Sequence, residues 1–158
     1  SSRVTEPGAF TDAVYAALLY DTQVLVEKEV PGFEVGCAVM GRHTLMTGEP
    51  DEIELSGGFF DFQEKYGLIS SKIHVPARVS REKADQIKES AKKRYRALGC
   101  AGFARVDMFL TPAGEIIFNE VNTIPGFTPH SRFPAMMGAA GISFTQLIDL
   151  AIKEAEAE

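Results

Sequence analysis

The stretch RVDMFLTPAGEIIFNEVNT, residues 105–123, narrows most what this chain can fold into. Two apolar runs flank Thr111-Pro112-Ala113-Gly114, with Pro at the second and Gly at the fourth position of a type I turn. The runs therefore read as neighbouring antiparallel strands. Yet they carry Arg105, Asp107, Glu120 and Asn122 among residues suited to a core. A buried charge without a partner is costly, so such groups usually meet a cation or a hydrogen-bond partner. Two registers are open. An even loop centred on Pro112 and Ala113 places Arg105 opposite Glu120, with Asp107 diagonal to Glu120 and Asn122 on the same face. A three-residue loop with a bulge at Gly114 places Asp107 opposite Asn119 and turns Glu120 away. A second irregularity near residues 119–120 is then needed to bring Glu120 back.

An Asp, a Glu and an Asn that converge are hard oxygen donors. They suit magnesium, which keeps few protein ligands and several waters or substrate phosphates. Arg105 beside them suits a phosphate or a carboxylate, because its fork binds two oxygens at once. The plainer alternative is a solvated ion-pair face in which Arg105 simply pairs with Glu120.

The chain has 158 residues and a formal net charge of −6, which argues against nucleic acid as the main partner. No apolar run approaches the roughly 20 residues that span a bilayer, and no signal-peptide pattern opens the chain, so no membrane association is expected. Cys37 and Cys100 sit in apolar contexts and outside any CxxC pair, as reduced core thiols of a cytosolic protein would. His43, His74 and His130 show no metal-ligand spacing.

Along the chain, residues 9–20 read as an amphipathic helix with Thr5 as its N-cap. Residues 22–30 read as a strand that turns at Pro31-Gly32 into a hairpin partner at 33–41, and 45–55 continues the sheet with an interruption at Gly48 and Pro50. Residues 56–72 have three glycines, four aromatics and no clean period, the profile of a long functional loop. Ala84, Ile87, Ala91, Tyr95 and Leu98 recur at helical spacing over 81–98, and Gly99 is a stop. Residues 122–134 read as a loop. A helix at 143–156 closes the chain, with a Ser143/Gln146 capping box and a stripe of Leu147, Ile148, Ala151 and Ile152. The mixture predicts an α+β domain, an antiparallel sheet covered by helices.

GFARVDMFLTPAGEIIFNEVNTIPGFTPHSRFP (102–134) resembles the C-terminal ATP-grasp domain of the D-alanine–D-alanine ligase family. EKEVPGFEVGCAVMG (27–41) is similar to its nucleotide hinge and FFDFQEKY (59–66) to its mobile active-site loop. Within that family the chain resembles the vancomycin-resistance ligases, particularly the VanG-like D-alanine–D-serine members. The resemblance implies a reaction that uses ATP to make an acyl-phosphate of D-alanine, which the amine of a second D-amino acid attacks, yielding a dipeptide for peptidoglycan synthesis. It implies two magnesium ions, with manganese an alternative, held by Asp107, Glu120 and Asn122, and Arg105 stabilising the acyl-phosphate and the tetrahedral intermediate. Lys65 reaches the transferred phosphoryl group, and Tyr66 helps latch the loop. Glu27 and the backbone of Lys28 to Val30 receive adenine, Phe59 and Phe109 wall it, and Glu34 accepts the ribose hydroxyls. Ser131 and the Gly126 amide bind the second carboxylate.

Family members that make D-alanyl-D-alanine carry an aliphatic residue where this chain has Arg132, which resembles the D-serine branch and offers a donor to a serine hydroxyl. Tyr66 stands where D-lactate ligases carry His. The resemblance covers residues 1–158 as one C-terminal domain, without the N-terminal substrate domain and most of the central domain. The piece alone is therefore expected to be inactive, and the parent is expected to be a cytoplasmic homodimer. Two other readings stay open: a non-catalytic nucleotide-binding module, and a different ATP-grasp carboxylate–amine ligase.

Overall fold

The structure, a computed structural model, describes residues 2–55 and 71–156. It divides into two units, Ser1–Glu29 with Leu55–Ser71, and Val30–Glu54 with Lys72–Glu158. In the first unit a 3-10 turn (Pro7–Ala9) leads into α1 (Phe10–Leu18). The expected helix is there, but Thr5 does not cap it: Glu6 precedes the turn and Ala9 precedes α1, each without a side-chain cap bond.

The second unit is organised on β1 (Phe33–Met40). One edge of β1 pairs antiparallel with β5 (Phe103–Leu110) along its whole length, from Phe33↔Leu110 to Met40↔Phe103. Its other edge pairs antiparallel with β2 (Met46–Thr47) and β3 (Asp51–Leu55). β4 (Ser71–His74) lies beyond β3, and β6 (Ile116–Asn122) lies beyond β5. This corrects the expected hairpin of 22–30 with 33–41. Residues 22–30 form no strand, and Leu25 and Val26 are exposed. The physical reason is that both edges of β1 are already taken, so alternation in 22–30 has no ladder to join. The expected break at Gly48 and Pro50 does separate β2 from β3. Ser71 and Lys72, read as the end of a loop, open β4.

The sheet is covered on both faces. Val35, Cys37, Val39, Val106 and Met108 pack against Ile87, Ala91 and Tyr95 of α2 (Arg81–Ala97). Ala38 and Met40 on the opposite face meet Phe133, Met136 and Met137 of α3 (Arg132–Ala139) and Leu147 of α4 (Phe144–Glu156). Each large apolar side chain buried in this way contributes about 1.5–3 kcal/mol. Ser80 caps α2 by accepting from the Lys83 amide at 3.2 Å. The capping box of α4 forms as expected, with the Gln146 amide on Ser143 Oγ at 3.3 Å and the Ser143 amide on Gln146 Oε1 at 2.9 Å. Two helix faces differ from expectation. Leu98 lies past the end of α2 and is exposed, and α4 turns Leu147, Leu150 and Ala151 inward while Ile148 and Ile152 face out. Tyr95 brings its hydroxyl into the core by donating to the Gly41 carbonyl at 2.8 Å. Both cysteines are free thiols; burial pushes the Cys37 thiol up to about 12, so it stays protonated and unreactive.

Among the described residues no single helix is long and apolar enough to cross a membrane.

Candidate functional site

The hairpin adopts the bulged register. Gly114 takes φ 81° and its amide donates to the Thr111 carbonyl at 2.8 Å, so the three-residue loop forms. Leu110↔Ile116, Phe109↔Ile117 and Met108↔Phe118 follow from it. The ladder then shifts between Asp107 and Met108, and Asn119 is the extra residue. Beyond the shift Asp107 faces Glu120 and Arg105 faces Asn122. Arg105 therefore does not lie opposite Glu120, as the even loop required. The second irregularity restores Glu120 and Asn122 to the face that carries Arg105 and Asp107.

On that face Arg105 grips Asp107 with both arms of its fork, Nε to Oδ1 at 2.8 Å and Nη2 to Oδ2 at 2.7 Å. Asp107 is fully buried and Arg105 nearly so. A buried pair this close is held by geometry, because each ion alone would be costly to desolvate. Asn122 Oδ1 accepts the Ile124 amide at 3.1 Å, which orients the amide group at the end of β6.

β1 and β3 complete the cluster. Asp51 pairs with Gly36 across the sheet, and Gly36 pairs with Asp107 on its other side. Above this row lies Arg132, the first residue of α3. Its Nε and Nη2 donate to Asp51 at 2.6 and 2.8 Å, and its Nη1 donates to Glu34 at 3.1 Å. Nη2 also stands 3.6 Å from Asp107 Oδ1. The third acceptor bond of Asp51 comes from the Gly36 amide at 2.9 Å. Burial opposes the Arg132 charge, but its bonds to Asp51 and the charges of Asp51, Asp107 and Glu34 outweigh that and hold its pKa above the ordinary arginine value. A Cβ on residue 36 would stand 2.6 Å from both Arg132 Nη2 and Asp51 Oδ1, so only glycine leaves room for the guanidinium.

The rest of the acidic strand is accounted for by neighbours. Glu52 is held by Arg78, whose Nη2 donates to Oε1 at 2.7 Å, and that bond keeps its carboxyl below the usual range. Glu54 meets His74.

Glu34 and Phe109 are direct ladder partners beside this cluster. Gly126 and Ser131 also come together: a Cβ on Gly126 would stand 2.9 Å from Ser131 Oγ. Residues 132–134, read as the end of a loop, instead open α3, with Ser131 as its N-cap. Val30 opens the second unit, whereas Glu27 and Lys28 belong to the first and are exposed. Phe59, Lys65 and Tyr66 lie outside the described residues. Sequence reasoning missed Asp51. A glycine inside a β-strand was the available signal, since it often marks close approach of another group.

The donor set fits magnesium better than a thiophilic metal. Among the described residues no three His, Cys, Asp or Glu side chains form a metal-holding group. Asp107 and Glu120, ladder partners, and Asn122 beyond them are oxygen donors, the type that magnesium takes together with phosphate oxygens and water. Arg105 bonds both oxygens of the Asp107 carboxylate, and Arg132 Nη2 stands near Oδ1, so a metal ion there would share this carboxylate with two guanidinium groups.

Residues 1–153 match the family model described as D-ala D-ala ligase C-terminus. The chain is 46% identical to the vancomycin C-type resistance protein VanC1 of Enterococcus gallinarum, over 98% of this chain and 45% of that protein. It is similar to the crystal structure of the VanG D-Ala:D-Ser ligase from Enterococcus faecalis, with 57% identity and a TM-score of 0.86, over 94% of this chain and 43% of that one. The D-alanine–D-alanine ligase of Bacillus anthracis complexed with ATP aligns with 25% identity and a TM-score of 0.81, over 98% of this chain and 48% of that one. The chain thus spans less than half the length of these relatives.

Proposed function

We propose, from the premise that this chain belongs to the D-Ala-D-Ala ligase C-terminal family, that it is the ATP- and magnesium-binding catalytic portion of a D-alanine–D-serine ligase. The whole enzyme would join two D-amino acids through an acyl-phosphate, in the cytoplasm and as a homodimer, for peptidoglycan synthesis. The observation that carries this reading is the row of Arg105, Asp107 and Arg132 beside the Asp107–Glu120 cross-strand pair.

Asp107, Glu120 and Asn122 are the residues that would hold magnesium, which when bound neutralises phosphate charge and favours phosphoryl transfer. Arg105, fixed by Asp107, offers a pre-oriented positive charge to the acyl-phosphate and to the oxyanion that forms when the second amine attacks. Such a group needs no reorganisation at the moment of reaction. Glu34 is assigned to the ribose hydroxyls, Phe109 and Phe59 to the adenine faces, and Glu27 with the backbone of Lys28 to Val30 to the adenine edge. Lys65 and Tyr66 are assigned to the loop over the phosphates. Ser131 and the Gly126 amide receive the carboxylate of the second amino acid.

Arg132 is assigned to its side chain. A guanidinium carries five N–H donors. Three of them serve Asp51 and Glu34, which fixes the plane of the group, and its remaining donors suit a serine hydroxyl. Sites built to bond a hydroxyl reject analogues that lack it. In the full-length ligase, Arg132→Leu should lower the ratio of kcat/KM for D-serine over D-alanine by at least about tenfold. The ratio is taken within one enzyme, so a loss of stability cancels; an unchanged ratio removes Arg132 from selectivity.

The reading is tested by phosphate release with D-alanine plus D-serine, D-alanine or D-lactate. The full-length ligase should turn over fastest with D-serine, and residues 1–158 alone should release no phosphate in response to D-amino acids. ATP binding without turnover by the full-length protein would favour a non-catalytic nucleotide module. Turnover only with other carboxylates or amines would favour a different ATP-grasp ligase.

A further inference from the structure

Ser131 stands at the N-cap of α3 but makes no side-chain cap bond. An N-cap serine usually accepts from the second or third helical amide. Here the third helical residue is Pro134, which has no N–H to give. The side chain turns to the preceding loop instead. Ser131 Oγ accepts the Thr128 amide at 3.1 Å and lies 2.9 Å from the Thr128 hydroxyl. The Ser131 amide in turn donates to the Thr128 carbonyl at 2.9 Å, which closes the turn.

The loop is anchored beside this contact. Phe127 sits among Phe103 of β5, Phe133 of α3 and Phe144 of α4, with ring centroids 5.0, 5.6 and 6.1 Å away. Its neighbours Gly126 and Thr128 both lie close to the Ser131 hydroxyl. A hydroxyl has two acceptor lone pairs and one proton. The Thr128 amide fills one lone pair. The Thr128 hydroxyl is close enough to fill the other.

We infer that Thr128 is a positioning residue for the second substrate: its amide and its hydroxyl together occupy both lone pairs of Ser131 Oγ, so the Ser131 proton is directed outward to an anion. The inference rests on the assignment of Ser131 to the carboxylate of the second D-amino acid. It adds the reason that this serine acts as a donor, and it makes the contact a chain of bonds: Thr128 hydroxyl to Ser131 Oγ, Ser131 hydroxyl to carboxylate. Each bond in such a chain polarises the next.

The test is steady-state kinetics of the full-length ligase. Thr128→Val keeps the side-chain shape and the backbone amide but removes the hydroxyl. It should raise the KM for the second D-amino acid about fivefold, the scale of one hydrogen bond to a charged partner's relay. KM for ATP and for the first D-alanine should stay within about twofold, which shows that the fold is intact. Thr128→Ser, which restores the hydroxyl, should return the KM to near the parent value. Ser131→Ala should raise the same KM, and adding Thr128→Val to it should cost little more, because the two act through one bond. If Ser131→Ala raises the KM and Thr128→Val does not, Thr128 has no positioning role and the assignment of Ser131 survives. If Ser131→Ala leaves the KM unchanged, the carboxylate assignment fails and the inference falls with it. A Thr128→Val effect that Thr128→Ser does not rescue also overturns it.

Discussion

Asp107→Asn in the full-length ligase should lower kcat by about three orders of magnitude or more, at saturating ATP and both amino acids. Two losses combine. The oxygen shell beside Glu120 and Asn122 loses a negative charge, and a metal that polarises a transferring phosphoryl group is worth several kcal/mol, each about 1.4 kcal/mol being tenfold in rate. Arg105 also loses the anion that fixes it, since both its Nε and its Nη2 bond that carboxylate. Raising the magnesium concentration should recover part of the activity if weakened metal binding dominates. Activity within tenfold of the parent at ordinary magnesium would remove Asp107 from the catalytic centre.

Asp51→Ala should destabilise the protein by about 3–5 kcal/mol, the usual result of removing one partner of a buried ion pair. Asp51 is fully buried and accepts three bonds, two from Arg132 and one from the Gly36 amide. Its removal leaves a guanidinium sharing Glu34 and the more distant Asp107, and a strand amide without its acceptor. Denaturant titration of the full-length ligase measures this as a fall in the midpoint of the transition that includes this domain. The same variant should lose preference for D-serine, because Asp51 sets the plane of Arg132. A loss of stability below about 0.5 kcal/mol would mean that water or another acceptor replaces Asp51 without cost.

The elements that could be read in the sequence are those whose signals are local. The Thr111–Gly114 turn, the helix read at 81–98 and the Ser143/Gln146 box each depend on residues a few positions apart. The candidate acids were legible for the same reason: Asp107, Glu120 and Asn122 stand out as polar groups in apolar strands. The misread strand at 22–30 shows the limit. Its alternation is as good as that of many strands, but pairing depends on a free edge, and β1 offers none because β5, β2 and β3 occupy both. The register of the site hairpin was legible only as a choice. The turn residues suited either an even loop or the bulge at Gly114, and the second bulge at Asn119 has no distinct residue signature.

By itself the sequence determined that a hairpin would carry an Arg, an Asp, a Glu and an Asn, that helices would cover an antiparallel sheet, and where the last two long helices begin. Tertiary structure decided that Asp51 and Arg132, 81 residues apart, share one buried pair over Gly36. A surface carboxylate and a buried one have the same letter. Which it becomes depends on the sheet order that sets β3, β1 and β5 side by side, and on the helix that lowers an arginine into the gap a missing side chain leaves.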